Sequence, residues 1–316
     1  MLLKKIKRSL KSFIIKIVAY LLPRKILLDK ESFEILENDG YHVTPVHFYY
    51  PIPDTRELHD EILNRRTELK GININEKTQL GLLSYFEENY KDEYDRIPKE
   101  ETGVPYEYYL NNGAFGSVDG EILYCMIRHF KPRKVFEIGS GYSTCLAAQT
   151  SLENKKNGVH TELHAFEPYP NFILQKGFQG LSYLHEIKIQ DLSLSAFDDL
   201  KGNDILFIDS SHVLKIGSDV QYEYLEVIPR LNKGVIVHVH DIFLPAEYPK
   251  KWLKEEHLFW NEQYLLQAFL QFNDSFEIIW AGSYMHINYP TRLRAAFNSY
   301  DPLTVWPGSF WMRRIK

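Results

Sequence analysis

A chain of 316 residues with 44% hydrophobic and 25% charged residues is long enough for one large domain with elaborations and has the balance of an ordinary globular protein. Its two cysteines, Cys125 and Cys145, fall in helical patterns without metal-like spacing, which argues against a disulfide framework and predicts a reducing, cytoplasmic setting. The net charge of −5 divides unevenly: residues 1–28 hold eight basic residues and no acid, leaving 29 basic against 42 acidic residues in the remainder, a balance that excludes general nucleic-acid binding.

At the N-terminus, Leu3, Ile6, Leu10, Phe13, Ile14, Ile17 and Leu21 recur at helical spacing between the basic residues, so residues 1–28 read as a basic amphipathic helix. Such a helix lies on an anionic membrane surface, peripheral to its inner face, or docks on its own domain or on a partner subunit of a homo-oligomer. It is too short and too charged to span a bilayer. Lys16 interrupts the apolar run and no small-residue cleavage site follows, which argues against a secretory signal.

Residues 29–119 predict an N-terminal cap or lid. The prolines of His47-Phe-Tyr-Tyr-Pro-Ile-Pro-Asp54 force an extended path, and helical periodicity follows in Leu58, Ile62 and Leu63 and again from Leu80 to Tyr90. His42, His47 and the tyrosines of this region read first as packing residues. The loop Tyr106–Asp119 is rich in aromatic, Asn and Gly residues, and its Asn112 and Phe115 are candidates for ligand contact.

Residues 120–289 alternate apolar runs with helical patterns, which predicts an α/β, Rossmann-like doubly wound sheet, mostly parallel with a reversed last strand. The expected strands are 135–138, 162–167, 185–190, 205–209, 235–240, 276–281 and 284–288. Ligands of such sheets bind outside the carboxyl ends of the strands, so the closing residues of each strand are the functional candidates.

The first expected strand ends in Lys134-Val-Phe-Glu-Ile-Gly-Ser-Gly-Tyr-Ser-Thr144, a strand, tight turn and helix start. Gly139 and Gly141 permit a close backbone approach, and Ser140, Ser143 and Thr144 open a helix whose free N–H groups attract polar ligand groups. The third glycine of a dinucleotide fingerprint is replaced by Thr144. Glu137, two residues before the first glycine, would repel a pyrophosphate but not an ammonium. Glu167 closes the second strand, where an acid can accept both hydroxyls of a ribose, and Asp191 follows the third, placed to hold an adenine amino group or to cap a helix.

The fourth strand ends at Asp209-Ser-Ser-His212 and the fifth at His238-Val-His240-Asp241. Two carboxylates with imidazoles at neighbouring strand ends have two uses. Asp209 and Asp241, with His240, can hold a divalent cation that acidifies a substrate hydroxyl. Alternatively His212 or His240 removes that proton directly as a general base. His238 reads as a packed, hydrogen-bonded histidine.

Acid-x-Gly-x-Gly at the end of a first strand resembles motif I of class I S-adenosylmethionine-dependent methyltransferases. From about Gly40 the chain resembles, more narrowly, a bacterial subgroup known as methyltransferase family 24, related to macrolide-sugar O-methyltransferases and the cephalosporin hydroxylase group. The residues that carry this are 47–54, 136–144, 166–170, 208–220 and 237–249. The resemblance implies S-adenosylmethionine as cofactor, with Glu137, Gly139, Ser140, Gly141, Ser143, Thr144, Glu167, Asp191 and Asp209 around it. It also implies magnesium or another divalent cation on Asp209 and Asp241, although His240 stands where those relatives place a second acid. The implied activity is O-methylation of a hydroxyl on a sugar-containing or other small polar metabolite or glycan. Two readings compete: a non-catalytic cofactor-binding or assembly protein at the membrane, and a metal-dependent oxygenase-like enzyme on the same fold.

Beyond the fifth strand, Trp252–Gln271 reads as an amphipathic aromatic helix, either core or lining for an acceptor. The tail, residues 290–316, receives no functional assignment.

Overall fold

The computed structural model describes residues 2–21 and 29–316, with side chains from residue 10 onward; Arg24 and Lys25 of the basic segment lie outside the described residues. The chain divides into two compact units, Met1–Ile62 and Leu63–Lys316.

In the first unit, helix α1 (Leu2–Leu21) follows the amphipathic pattern, and its Leu10, Phe13, Ile14, Ile17 and Leu21 side chains are all exposed. Helix α2 (Lys30–Asn38) begins at Asp29, whose carboxylate accepts the Ser32 N–H at 3.1 Å as a helix cap. His42 is paired with Glu37 at 2.8 Å, and His47 stacks on Phe48.

The second unit is built on a seven-stranded sheet: β1 (Lys134–Ile138), β2 (Glu162–Phe166), β3 (Tyr183–His185), β4 (Ile205–Ile208), β5 (Ile236–Val239), β6 (Phe276–Ala281) and β7 (Phe310–Arg314). Their spatial order is β3-β2-β1-β4-β5-β7-β6, with β7 antiparallel to both of its neighbours. The reversal is therefore made by the last strand of the chain, as expected, but at residues 310–314. The expected strand over 284–288 is instead a helix, Gly282–Asn288, anchored by Ser283 Oγ donating to the Phe243 carbonyl at 2.6 Å. Phe310 and Met312 fill one core and Trp311 the other, which draws part of the tail into the sheet. The third strand is also displaced, to 183–185, and Ile189–Asp191 forms a single tight helical turn.

The central strands are buried on both faces. Val135, Ile205, Phe207 and Ile236 pack with helices α4 (Asp119–Phe130) and α5 (Tyr142–Lys156) on one side, together with Leu83, Phe86 and Tyr94 of α3 (Glu76–Tyr94). Phe136, Ile138, Leu206, Ile208, Val237 and Val239 fill the opposite core. Two-residue periodicity then puts Glu137, Asp209, His238 and His240 on the α4/α5 side. Ile138 is in register with Ile208, and Ile208 with Val239, so the residues that follow these strands emerge at one level.

Candidate active site

At the β1 corner, Gly139 has a φ of +78°, and a Cβ there would sit 1.8 Å from the Asp209 carbonyl oxygen. Only glycine lets the ends of β1 and β4 approach so closely. Gly141 meets no protein atom within 4 Å of a built Cβ, so the space above that turn is free. Thr144 Oγ1 accepts the Gly141 N–H at 2.9 Å, and Ser143 Oγ donates to Glu137 at 2.6 Å. Burial pushes the Glu137 carboxyl up to about 8, against the pull of Ser143 and Thr144. Its Oε2 and the hydroxyl of Ser140 are buried without a hydrogen-bond partner, an arrangement that suits a ligand ammonium.

A cleft of about 490 Å³ opens beside this corner, lined by Gly139, Glu167, Tyr169, Ile189, Gln190 and Asp209 among others. Glu167 is fixed at its lip by two backbone N–H groups, from Ser140 at 3.3 Å and Tyr169 at 2.9 Å. Asp191 is exposed and does not line the cleft; Lys188, Ile189 and Gln190 of the same segment do.

Asp209 connects the cleft to the imidazoles. His212 Nε2 lies 3.3 Å from its Oδ1 and 3.6 Å from Asp241 Oδ2, while His240 Nδ1 lies 3.4 Å from Asp209 and 3.6 Å from Asp241. Ligand atoms of Asp209, His240 and Asp241 all fall within 4.8 Å of one another. Such a group of one imidazole and two carboxylates has the donor types that hold a divalent cation. Both His212, with a φ of 58°, and Asp241, with a φ of 56°, are held in the left-handed region. Strained non-glycine backbone costs on the order of 1–3 kcal/mol per residue and persists where the surroundings enforce it.

Each imidazole is backed by a second carboxylate that is not apparent from the local sequence. Glu262, at the start of helix α6 (Glu262–Leu270), meets His212 Nδ1 at 2.8 Å, and Asp119, at the start of α4, lies 3.5 Å from His240 Nε2. These contacts span 50 and more than 100 residues of chain. The available local signals were the Asn-rich loop before Asp119 and the aromatic run around Glu262. Burial alone would lower the His212 imidazole, but Asp209 and Glu262 carry it up to about 10. His240 is likewise raised by Asp241 and Asp209 against the effect of burial. The Asp209 carboxyl is driven well below its usual range despite burial, by the two imidazoles beside it.

His238 is fully buried, stacked on Phe207 at 3.9 Å and 3.2 Å from Ser309 Oγ, and burial holds it neutral. Asn112 is occupied by its own loop, accepting the N–H groups of Ala114 and Phe115, whereas the Phe115 ring packs 4.8 Å from that of His240.

A family model described as a methyltransferase domain, methyltransferase 24, matches residues 136–242. An uncharacterised protein from Archaeoglobus fulgidus is 33% identical over 166 residues, which cover 50% of this chain and 74% of that protein. Among solved structures, the plantazolicin methyltransferase BamL in complex with a triazolic desmethylPZN analog and SAH is 14% identical, covering 76% of this chain and 97% of that one with a TM-score of 0.38. The O-methyltransferase from Bacillus cereus in complex with SAH is 13% identical, covering 76% and 91% with a TM-score of 0.34.

Proposed function

This chain belongs to the class I S-adenosylmethionine-dependent methyltransferases, and on that premise we propose that it methylates a hydroxyl oxygen of a sugar-containing or other small polar acceptor. The observation that carries this reading is the convergence of His212, Asp209, His240 and Asp241 at the ends of β4 and β5, with Asp209 also lining the cofactor cleft. An alcohol is a poor nucleophile until its proton is withdrawn, and a site with imidazole and carboxylates beside the methyl donor answers that need.

In this reading Glu137, with Ser140 and the turn through Gly141, receives the amino-acid end of the cofactor. Glu167 accepts the ribose hydroxyls, and Ile189 and Gln190 border the base. Asp209, His240 and Asp241 would hold a divalent cation, which would supply Lewis-acid polarisation of the acceptor hydroxyl. His212 takes the proton at Nε2, because Glu262 occupies Nδ1 and leaves Nε2 facing the reaction centre. Asp209 on the Nε2 side and Glu262 on the Nδ1 side both stabilise the imidazolium that forms when His212 takes the proton. The sulfonium supplies the activated methyl group, and the protein contributes alignment and proton removal.

The experiment is a comparison of methylated metabolites and glycans from cells with the protein and cells carrying His212→Ala. Loss of the same methyl ether in the variant and in cells lacking the protein supports the reading. An unchanged profile contradicts it.

The exposed apolar side chains of α1 and the basic surplus of residues 1–28 support a second proposal, that this segment rests on an anionic membrane surface. No helix among the described residues is long and apolar enough to cross a membrane. Flotation with anionic liposomes that is equal with and without residues 1–28 would contradict it.

A further inference from the structure

His240 is buried, and its two ring nitrogens face different surroundings. Nε2 is turned to Asp119 Oδ2 at 3.5 Å, and Nδ1 to Asp209 Oδ1 at 3.4 Å and Asp241 Oδ1 at 3.6 Å. Asp119 is not free to swing away. Its two oxygens accept the backbone N–H groups of Gly308 at 2.8 Å and Ser309 at 3.0 Å. That same segment covers Asp241, for a Cβ on Gly308 would come within 3.1 Å of the Asp241 Cα, and the Gly308 carbonyl accepts the Ile242 N–H at 2.9 Å. The Phe115 ring, 4.8 Å away, packs against the imidazole as well. The ring is therefore fixed in place, with a carboxylate behind it and two carboxylates in front.

An imidazole whose Nε2–H points to a carboxylate keeps the Nδ1 lone pair for a cation, and the carboxylate raises the basicity of that nitrogen. Among the described residues, the cationic partners within ion-pair distance of Asp209 and Asp241 are only the two imidazoles, so no lysine or arginine takes the place of an ion. The donor set then decides which cation fits. Magnesium takes oxygen ligands and retains several waters, whereas a site with a fixed aromatic nitrogen favours first-row transition cations.

We propose that Asp119 is the positioning residue that makes His240 a nitrogen ligand, and that the site consequently selects a divalent transition cation over magnesium. Asp119 acts through His240 and does not touch the ion. The inference rests on the assignment of Asp209, His240 and Asp241 as a cation site, but it stands apart from methyl transfer, since cation binding is measured without turnover.

The test uses the full-length protein stripped with a chelator, titrated separately with Co²⁺ and Mg²⁺, and loaded with Mn²⁺ for pulsed electron paramagnetic resonance. Wild type is expected to bind Co²⁺ at least about 100-fold more tightly than Mg²⁺, and bound Mn²⁺ is expected to show coupling to an imidazole nitrogen. His240→Glu should abolish that coupling and narrow the Co²⁺/Mg²⁺ ratio by about tenfold or more. Asp119→Asn should weaken Co²⁺ binding by about 10–100-fold while moving Mg²⁺ little. The wild-type protein alone can overturn the proposal, whether or not the variants fold. Equal affinity for Co²⁺ and Mg²⁺, absence of nitrogen coupling, or absence of cation binding to a protein that still binds S-adenosylmethionine would each do so. Methyl transfer that persists after chelation would overturn the cation site while leaving the methyltransferase reading intact.

Discussion

His212 and Glu262 are joined twice: Nδ1 of the imidazole lies 2.8 Å from the Glu262 Oε2, and the His212 carbonyl accepts the Glu262 N–H at 3.2 Å. Trp260 adds a ring contact at 4.3 Å. The left-handed backbone of His212 is thus enforced by the start of α6, and the ring nitrogen left facing Asp209 is Nε2. Removing the base itself, in His212→Ala, should lower kcat by roughly 10²–10⁴-fold. Glu262→Gln, which can present either an acceptor or a donor to Nδ1, should lower kcat by about 10–100-fold with S-adenosylmethionine affinity unchanged. Steady-state kinetics with calorimetric cofactor binding separates the two effects. A Glu262→Gln enzyme with wild-type kcat would show that the contact is only structural.

Glu167 is held by the Ser140 and Tyr169 N–H groups with its carboxylate at the lip of the cleft. Hydrogen bonds to a charged group contribute about 1.5–3 kcal/mol each. With two ribose hydroxyls accepted, Glu167→Ala should therefore weaken S-adenosylmethionine binding by roughly 10²–10⁴-fold, as read by calorimetry. Undiminished binding in this variant would remove Glu167 from the cofactor site.

Gly139→Ala tests the corner itself. The added methyl would fall 1.8 Å from a backbone oxygen of Asp209, at a φ of +78° that also disfavours alanine, and no side-chain rotation relieves that overlap. A loss of about 3 kcal/mol or more is expected, seen as a depressed Tm or insoluble protein. A variant with wild-type Tm would show that the β1 and β4 ends are not packed this closely.

Glu121 gives a pH prediction away from the reaction centre. It is buried in α4, with hydrogen bonds from the Ser117 and Ser299 hydroxyls, and burial raises its carboxyl to about 7. An acid raised on folding favours the folded state while both states are protonated. That contribution is full below the unfolded value and is lost as pH rises through about 7. The shift corresponds to about 3 kcal/mol. Urea unfolding between pH 5 and pH 8 should show Glu121→Gln losing less stability than wild type by about that amount. Identical slopes would place Glu121 in a more polar environment.

The cofactor corner was legible in the sequence because it is local: strand, turn and helix start are contiguous, and the Ser143–Glu137 and Gly141–Thr144 hydrogen bonds span six residues or fewer. Asp209, His212, His240 and Asp241 were legible because residues closing adjacent parallel strands meet at one level. Asp119 and Glu262 were not, since each reaches its histidine across a fold-dependent separation and sits at a helix start where an acid is ordinary. The strand expected at 284–288 failed for a related reason. A short apolar run suits a strand or a buried helix equally, and the partner that completed the sheet was Phe310–Arg314, an aromatic run in the tail whose burial depends on the whole core. Asp191 shows the limit of counting from strand ends: with β3 ending at His185, the residues bordering the cleft became Lys188, Ile189 and Gln190.

The most direct measurement of the central claim follows label from S-adenosyl-[methyl-¹⁴C]methionine into small polar metabolites and glycans extracted from cells lacking the protein, using purified wild type and Asp209→Asn in parallel. The account predicts S-adenosylhomocysteine formation and label fixed in a base-stable methyl ether with wild type, and neither with Asp209→Asn. Label transfer that is equal in the two proteins, or label found only on nitrogen, sulfur or in base-labile esters, would contradict it.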